Sequence, residues 1–102
     1  MKLEATRSKG DRMKVNIIVI HSSDNVGIAM AALSAGESAR ANGLEPFAVL
    51  ENIPPSHKVA LRDIAAGEEI IKYGEIIAVS SREIKRGQWV HTHNLESERW
   101  KK

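Results

Sequence analysis

The sequence contains no cysteine and has few aromatic residues: one Phe, one Tyr and two Trp in 102 positions. Without cysteine the chain has no disulfide framework, no thiolate zinc site and no cysteine nucleophile. So few aromatics, with a net charge of only +2, do not make the basic, aromatic surface that single-stranded nucleic acid requires. No apolar run approaches the roughly 20 residues of a membrane-spanning helix. Neither nucleic acid nor a membrane is therefore an expected partner.

Both ends of the chain are polar. Residues 1–13 lack the apolar centre of a signal peptide and are interpreted as a flexible lead-in, and Met13 is an alternative start to Met1. Residues 96–102 form a polar tail. The remaining residues, 14–95, are long enough for one small domain. A cytoplasmic location is expected for a chain without cysteines or a signal sequence.

Several short runs favour strands. "VNIIVI", residues 15–20, is rich in β-branched side chains and stops at the turn-forming cluster "HSSDN". "EEIIKYGEIIAVSS", residues 68–81, contains two β-prone runs on either side of Tyr73-Gly74, and Pro54-Pro55 excludes a regular helix across "ENIPPSHK". Short strands separated by close turn signals predict a small all-β domain, a compact barrel or clip.

A weak internal repeat supports this fold class. A shift of 31 positions places "IAMAALSAGE", residues 28–37, over "VALRDIAAGE", residues 59–68, and a further shift of 20 aligns "SREIKRGQWV" with the second copy. Each copy ends in a glycine at a fixed place, which predicts a tight turn with positive φ. The third copy is too polar for a buried helix, so strand and turn are also predicted for the alanine-rich first copy.

The segment "WVHTHNL" contains the most suggestive polar pair. His91 and His93 alternate in a predicted strand and would share one face, where imidazoles bind a divalent metal or exchange protons. The alternative is two solvated histidines on an end strand. His21 and Asp24 follow the first strand and form either an oriented acid/base group or a simple turn.

Two further residues have one functional and one ordinary interpretation each. Lys58, next to His57, is suited to hold a carboxylate as a point charge or is a solvated lysine. Tyr73 is placed to hydrogen-bond a hydroxyl group or to pack at its turn. The pairs Arg62-Asp63 and Arg82-Glu83 recur at equivalent repeat positions, which favours structural ion pairs over catalysis.

Three segments together carry a resemblance to a known family. "HSSDNVGIAM", "HKVALRDIAAGEEIIKYGEIIA" and "GQWVHTHNL", in this order, closely resemble the SAF domain of the altronate/galactarate dehydratase family from about Lys14 to about Leu95. The chain departs from the family pattern at Ser56, where many members have glycine. The resemblance implies a β-clip fold of short strands and tight glycine turns. It also implies a lyase that acts on sugar acids, with this domain as a separate small subunit in some members.

The resemblance therefore implies the small subunit of a sugar-acid dehydratase, which completes the active site of a larger catalytic subunit. The alternatives are the alpha subunit of a sulfolactate sulfo-lyase, a non-catalytic sugar-acid-binding module, or a degenerate paralogue that only stabilises a partner. The implied cofactor is Fe²⁺, or another divalent metal such as Mn²⁺, held mainly by the larger subunit. Association with that subunit or with a second copy is expected.

Within this interpretation the candidate residues have three roles. The catalytic candidates are His21, His91 and His93. The candidate metal ligands are His91 and His93. The candidate substrate-binding residues are Asp24, Asn25, His57, Lys58, Tyr73 and Asn94.

Overall fold

The computed structural model describes residues 14–97, so the predicted lead-in and most of the predicted tail lie outside the described residues. The described residues form nine short strands and one 3₁₀ turn, which confirms the prediction of a small all-β domain. The strands are β1 (Ile17–Ile18), β2 (Val26–Ala29), β3 (Ser38–Ala39), β4 (Phe47–Ala48), β5 (Lys58–Ala60), β6 (Glu69–Lys72), β7 (Glu75–Ser80), β8 (Trp89–Val90) and β9 (Leu95–Ser97). The 3₁₀ turn spans Thr92–Asn94.

The strands form three antiparallel sheets: β1-β2-β5-β8, β3-β4 and β6-β7-β9. Successive strand residues point to opposite faces, and in β5 Val59 packs into one hydrophobic core whereas Ala60 packs into another. The four-stranded sheet therefore lies between two cores. The first run is strand only at Ile17–Ile18, shorter than its apolar pattern predicted.

The predicted repeat of 31 residues is present in the backbone. It carries β2 onto β5, β5 onto β8, β3 onto β6 and β4 onto β7. The register repeats as well, because the pair Gly27 and Val59 becomes the pair Lys58 and Val90 after the same shift. The alanine-rich first copy is strand and turn, as predicted, and not helix.

Four turns that each directly follow one of the buried residues Leu33, Ile53, Ile64 and Ile84 share one backbone, at residues 34–37, 54–57, 65–68 and 85–88; the turn at 41–44 has the same backbone but follows no such residue. In each, the amide of the fourth residue donates to the carbonyl oxygen of the first over 2.8 to 3.2 Å. The third residue has positive φ in all four: Gly36 at 90°, Ser56 at 68°, Gly67 at 84° and Gly87 at 93°. The sequence repeat identifies three of these turns. The turn at 54–57 lies at the prolines that exclude a helix, but the sequence did not identify it as a further copy of these turns, because two prolines and a serine replace the pattern.

Side chains staple three of the four turns. The carboxylates of Glu37 and Glu68 and the amide oxygen of Gln88 each accept a hydrogen bond from the backbone amide three residues earlier, over 2.7, 2.9 and 2.7 Å. We call these the stapled turns. In one of them Arg62 pairs with Glu68 at 2.7 Å. The predicted structural ion pair therefore exists, but with Glu68 as its acid and not Asp63.

Pairs of turns are joined by reciprocal backbone hydrogen bonds between buried residues. Leu33 and Ile53 exchange two bonds of 2.9 and 2.8 Å, and Ile64 and Ile84 exchange two of 2.7 and 2.8 Å. All four side chains lie in the hydrophobic cores. Each bridge thus fixes two turns and anchors them in a core.

Asparagine side chains hold the strands that follow the stapled turns. Asn25 is fully buried; its Nδ2 donates to the carbonyl oxygen of Glu69 over 2.8 Å and its Oδ1 accepts from the amide of Ile71 over 2.8 Å. Asn16 makes the equivalent pair of bonds on either side of Ala39 in β3. We call this arrangement an asparagine clamp, since one amide group occupies the backbone positions that a neighbouring strand would fill.

The glycine turns provide a matched test of backbone geometry. Gly36→Ala should lower the free energy of unfolding by about 1–2 kcal/mol, the cost of a left-handed conformation, because a Cβ there meets no atom within 4 Å. Gly87→Ala should cost at least about 1 kcal/mol more through overpacking, since its Cβ would lie 2.5 Å from the carbonyl oxygen of Ala48. Urea unfolding measures both. Equal losses would contradict the close approach at Gly87.

Candidate active site

Three histidine rings surround one tryptophan. The Trp89 ring centroid lies 5.6 Å from that of His57, 5.4 Å from that of His91 and 5.1 Å from that of His93. We call these four residues the Trp89 cluster. β8 supplies Trp89, the unstapled turn at 54–57 supplies His57, and the segment after β8 supplies the other two. The cluster therefore assembles where the second turn meets the last strand of the four-stranded sheet.

The prediction that His91 and His93 alternate in a strand is wrong. β8 ends at Val90, and His91 precedes the 3₁₀ turn formed by Thr92–Asn94. The physical cause is Asn94, whose side chain accepts a hydrogen bond from the amide of His91 and whose own amide donates to the carbonyl of His91. The chain is thereby bent after β8. Both imidazoles nevertheless contact Trp89, so they share a site without sharing a strand face.

A hydrogen bond within the cluster fixes the chemistry of His57. The indole Nε1–H of Trp89 donates to Nδ1 of His57 over 3.0 Å. An indole nitrogen only donates, so Nδ1 of His57 accepts and the neutral ring carries its proton on Nε2. The His91 ring stacks on Trp89, with an angle of 9° between the two ring planes. The His91 centroid lies 4.8 Å from that of His57.

The electrostatic environment keeps His91 uncharged. Partial burial lowers the pKa of the His91 imidazole below its usual 6.5, and repulsion from His57, Lys58 and His93 lowers it further. A lowered pKa leaves the ring neutral at pH 7 and able to accept a proton. Lys58 is half-buried, and burial together with repulsion from Lys72 lowers its own pKa below 10.5. In its charged form Lys58 is able to attract an anion.

A second group forms around His21. The ring Nδ1 of His21 accepts from the Ser23 amide over 3.1 Å and lies 2.8 Å from the Ser23 hydroxyl oxygen. Asp24 accepts from the amides of His21 (3.1 Å) and Gly74 (2.8 Å), so it ties this loop to the β6–β7 hairpin. Partial burial raises the pKa of the Asp24 carboxyl, but the hydrogen bonds from Gly74 and His21 outweigh it and hold the pKa below 3.8. The loop is thus organised around a carboxylate.

The hairpin turn next to this loop has the predicted position, at Tyr73 and Gly74. Both residues have positive φ, 59° and 77°, the geometry of the tight hairpin turns that match strand twist. A Cβ on Gly74 would lie 2.9 Å from the His21 ring, so only glycine admits the imidazole here. Tyr73 is half exposed, and Lys72 Nζ lies 4.7 Å from its ring centroid. The turn that carries Tyr73 therefore lies beside the His21 loop, which it meets through Gly74.

The two asparagines predicted to bind substrate are buried and already bonded to backbone. Asn94 is 4% exposed and forms a third asparagine clamp: its Nδ2 donates to the carbonyl oxygen of Trp89 over 2.9 Å and its Oδ1 accepts from the amide of His91 over 2.9 Å. Asn25 forms the equivalent clamp on β6. This equivalence favours a positioning role for both. Direct contact with a substrate stays a prediction for Asn25 and Asn94.

The predicted site residues thus fall into two groups. One contains His57, His91 and His93 with Lys58 nearby; the other contains His21, Asp24 and Tyr73. Trp89, the centre of the first group, was missed, because its hydrogen-bond partner His57 lies 32 residues away in the sequence. Within residues 14–97 no three His, Asp or Glu side chains are placed to hold a metal ion. His91 and His93 therefore do not complete a metal site from this part of the chain alone.

No helix among residues 14–97 is long and apolar enough to cross a membrane.

Residues 15–98 match the family model of the altronate/galactarate dehydratase SAF domain. The chain therefore belongs to this family, as its motifs predicted. It is 47% identical over 75 residues to the galactarate dehydratase (L-threo-forming) of Escherichia coli K12, covering 72% of this chain but 14% of that protein. It is 32% identical over 94 residues to the (2R)-sulfolactate sulfo-lyase subunit alpha of Chromohalobacter salexigens, covering 86% of this chain and 100% of that subunit.

The altronate dehydratase of Bacillus subtilis is 35% identical over 82 residues, which are 80% of this chain and 16% of that protein. The chain thus spans about one sixth or less of the two dehydratases that it matches, but the whole length of the sulfo-lyase subunit.

The structural role of Asn94 is testable. Asn94→Ala removes two buried hydrogen bonds, each contributing about 1 kcal/mol, so the free energy of unfolding should fall by roughly 2 kcal/mol in urea titration. The matched control is the exposed Asn42→Ala, for which the change should stay within about 0.5 kcal/mol. An Asn94 variant with unchanged stability would contradict the clamp and return this residue to the substrate-binding candidates.

The charge environment of His91 is testable by titration. Lys58→Met removes a positive charge that disfavours the His91 imidazolium, so the His91 pKa should rise toward 6.5. NMR titration of the imidazole signals measures the shift. Lys85→Met is the control, because this exposed lysine pairs with Glu83, and it should leave the His91 pKa unchanged. A His91 pKa that stays constant or falls in the Lys58 variant would contradict this electrostatic coupling.

Proposed function

We propose that the chain is the small subunit of a lyase that acts on hydroxy acids, with sugar-acid dehydration as its reaction, and that it supplies one wall of an active site completed by a larger subunit. The observation that carries the proposal is the Trp89 cluster. It gathers three imidazoles beside Lys58, and one of these imidazoles, His91, is held neutral. A scaffold domain has no need of this arrangement.

The cluster suits the chemistry of elimination. Dehydration breaks the C–H bond next to the carboxylate and then the C–O bond of the neighbouring hydroxyl, which leaves with a proton as water. A base must take the first proton and an acid must supply the second, each step contributing typically 10²–10⁴-fold. Neutral His91 is the proposed base. We assign the second proton transfer to His93 and the substrate carboxylate to Lys58; His21, in the other group, stays a catalytic candidate without an assigned step.

A larger partner is proposed because residues 14–97 do not enclose the Trp89 cluster. The Trp89 cluster lies at the end of an edge strand, and His93 is exposed, so these residues do not enclose a substrate by themselves. Closing a site excludes water and strengthens its electrostatic interactions. We propose that the larger subunit forms the opposite wall and holds the divalent metal, Fe²⁺ or Mn²⁺, since residues 14–97 bring no three ligands together. A metal there would stabilise the charge that develops on the carboxylate.

The second candidate is the alpha subunit of a (2R)-sulfolactate sulfo-lyase. It is favoured by one observation: the similarity covers 100% of that subunit. The same base and carboxylate site would serve, with sulfite leaving in place of hydroxide. A binding module without turnover is the remaining alternative.

Purification from the native cell separates these possibilities. The tagged chain should bring down a larger protein in constant proportion, and the reconstituted pair is then assayed on altronate, galactarate and (2R)-sulfolactate with Fe²⁺ or Mn²⁺ supplied. Turnover of a sugar acid supports the dehydratase, and release of sulfite supports the second candidate. A chain that purifies alone, or a pair that binds acids without turnover, would overturn the lyase subunit.

The proposed base has its own test. In the reconstituted pair, His91→Gln should lower kcat by about 10²–10⁴-fold, the usual contribution of a general base. Lys85→Gln changes an exposed residue whose side chain pairs with Glu83 and should leave kcat unchanged. Full activity of the His91 variant, in a pair that still assembles, would remove His91 from the mechanism.

A further inference from the structure

The four equivalent turns can be compared with one another at their first and fourth positions. Glu37, Glu68 and Gln88 occupy the fourth position of the stapled turns, and each accepts a hydrogen bond from the amide of the first position. In the remaining turn the fourth position is His57 and the first is Pro54. Proline has no backbone N–H, so no staple is possible at this turn whatever residue stands at 57.

The unstapled turn keeps the backbone of the other three at a cost. The His57 amide donates to the Pro54 carbonyl oxygen over 3.2 Å as in the stapled turns. Ser56 adopts φ of 68°, where the other turns have glycine. A left-handed conformation costs a residue with a side chain roughly 1–2 kcal/mol. Strain of this kind collects at functional sites, and here it lies next to the residue whose side chain has been released.

The released side chain has a new partner. Nδ1 of His57 accepts the Trp89 indole proton over 3.0 Å, which leaves the proton of the neutral ring on Nε2. Among residues 14–97, no residue makes a hydrogen bond to Nε2 of His57. A ring held at one nitrogen thus presents an N–H donor at the other, close to the His91 ring and adjacent in sequence to Lys58.

We propose that the turn at 54–57 is a stapled turn converted into a ligand-presenting turn: Pro54 releases His57, and Trp89 is the positioning residue that fixes His57 with its Nε2–H available to an anionic group of the ligand. The group is a carboxylate, matched by this donor and by the Lys58 cation. The inference deepens the proposed function and rests on it for the identity of the ligand. The tautomer and the release are properties of the chain itself.

Ring-nitrogen NMR on the full chain, without partner or substrate, tests the positioning role. Neutral His57 should be in the Nε2–H form. Trp89→Phe retains an aromatic ring but lacks the N–H donor, so His57 should lose this single form and become a mixture of both tautomers. A His57 protonated on Nδ1 in the native chain, or an unchanged Nε2–H form in the Trp89 variant, would overturn the proposal.

A pair of variants tests the release independently of Trp89. His57→Glu places a staple residue in the turn but leaves Pro54 without a donor. Pro54→Ser with His57→Glu reproduces the residues of the turn at 34–37 at both positions. The double variant should therefore unfold at a higher urea concentration than the single variant. No gain in stability would show that Pro54 is not what prevents the staple, and would overturn the conversion.

Failure of the positioning role can be distinguished from failure of the proposed function. If the His57 tautomer and the double variant behave as expected while no lyase activity is found with any partner, the positioning role stands and the proposed function fails. If a lyase is reconstituted while the His57 tautomer does not depend on Trp89, the proposed function stands and the positioning role fails.

Discussion

Reciprocal backbone hydrogen bonds between buried aliphatic residues are the constraint on which this domain depends. The Leu33–Ile53 and Ile64–Ile84 bridges are each only one residue long on either side, yet each draws two tight turns together and places two apolar side chains in a core. Strands of two to six residues cannot form a stable sheet by length alone. The turns supply the missing order, because their geometry fixes where each short strand begins.

A backbone used four times separates structural side chains from functional ones. In three of the four turns that follow the bridge residues, a Glu or Gln staples the turn. The exception is the turn that ends in His57, where the staple is absent and the side chain bonds to Trp89 instead. The asparagine clamps show the same contrast between structure and function. Asn94 makes on β8 the clamp that Asn25 makes on β6, but it also sets the bend that brings His91 and His93 to the indole. Because the turns and clamps are repeated, the copy that differs from the others indicates which side chains have a functional role.

The sequence predicted the parts of the fold that depend on local chemistry. A glycine at a fixed place in each copy of the repeat predicted three turns, β-branched runs predicted strands, and Tyr73-Gly74 predicted a turn between two of them. The turn at 54–57 was not identified as a copy of the repeat. Its backbone is the same, but proline, serine and histidine stand in place of the repeated residues. The bend after β8 escaped because a long-range amide–backbone clamp overrides the strand pattern. Trp89 was missed because its partner His57 lies 32 residues away, a distance that periodicity does not span.

The clamp on β8 also bears on how the domain behaves in a crowded solution. β8 ends the four-stranded sheet, and such an edge is a template on which another chain can add a strand. Here the outward amide of Trp89 donates to the Glu51 carboxylate over 2.9 Å, and Asn94 occupies the neighbouring carbonyl and amide. The side chains that order the imidazoles therefore also block self-templated polymerisation, so loss of the clamp would expose the chain to aggregation as well as disordering its histidines.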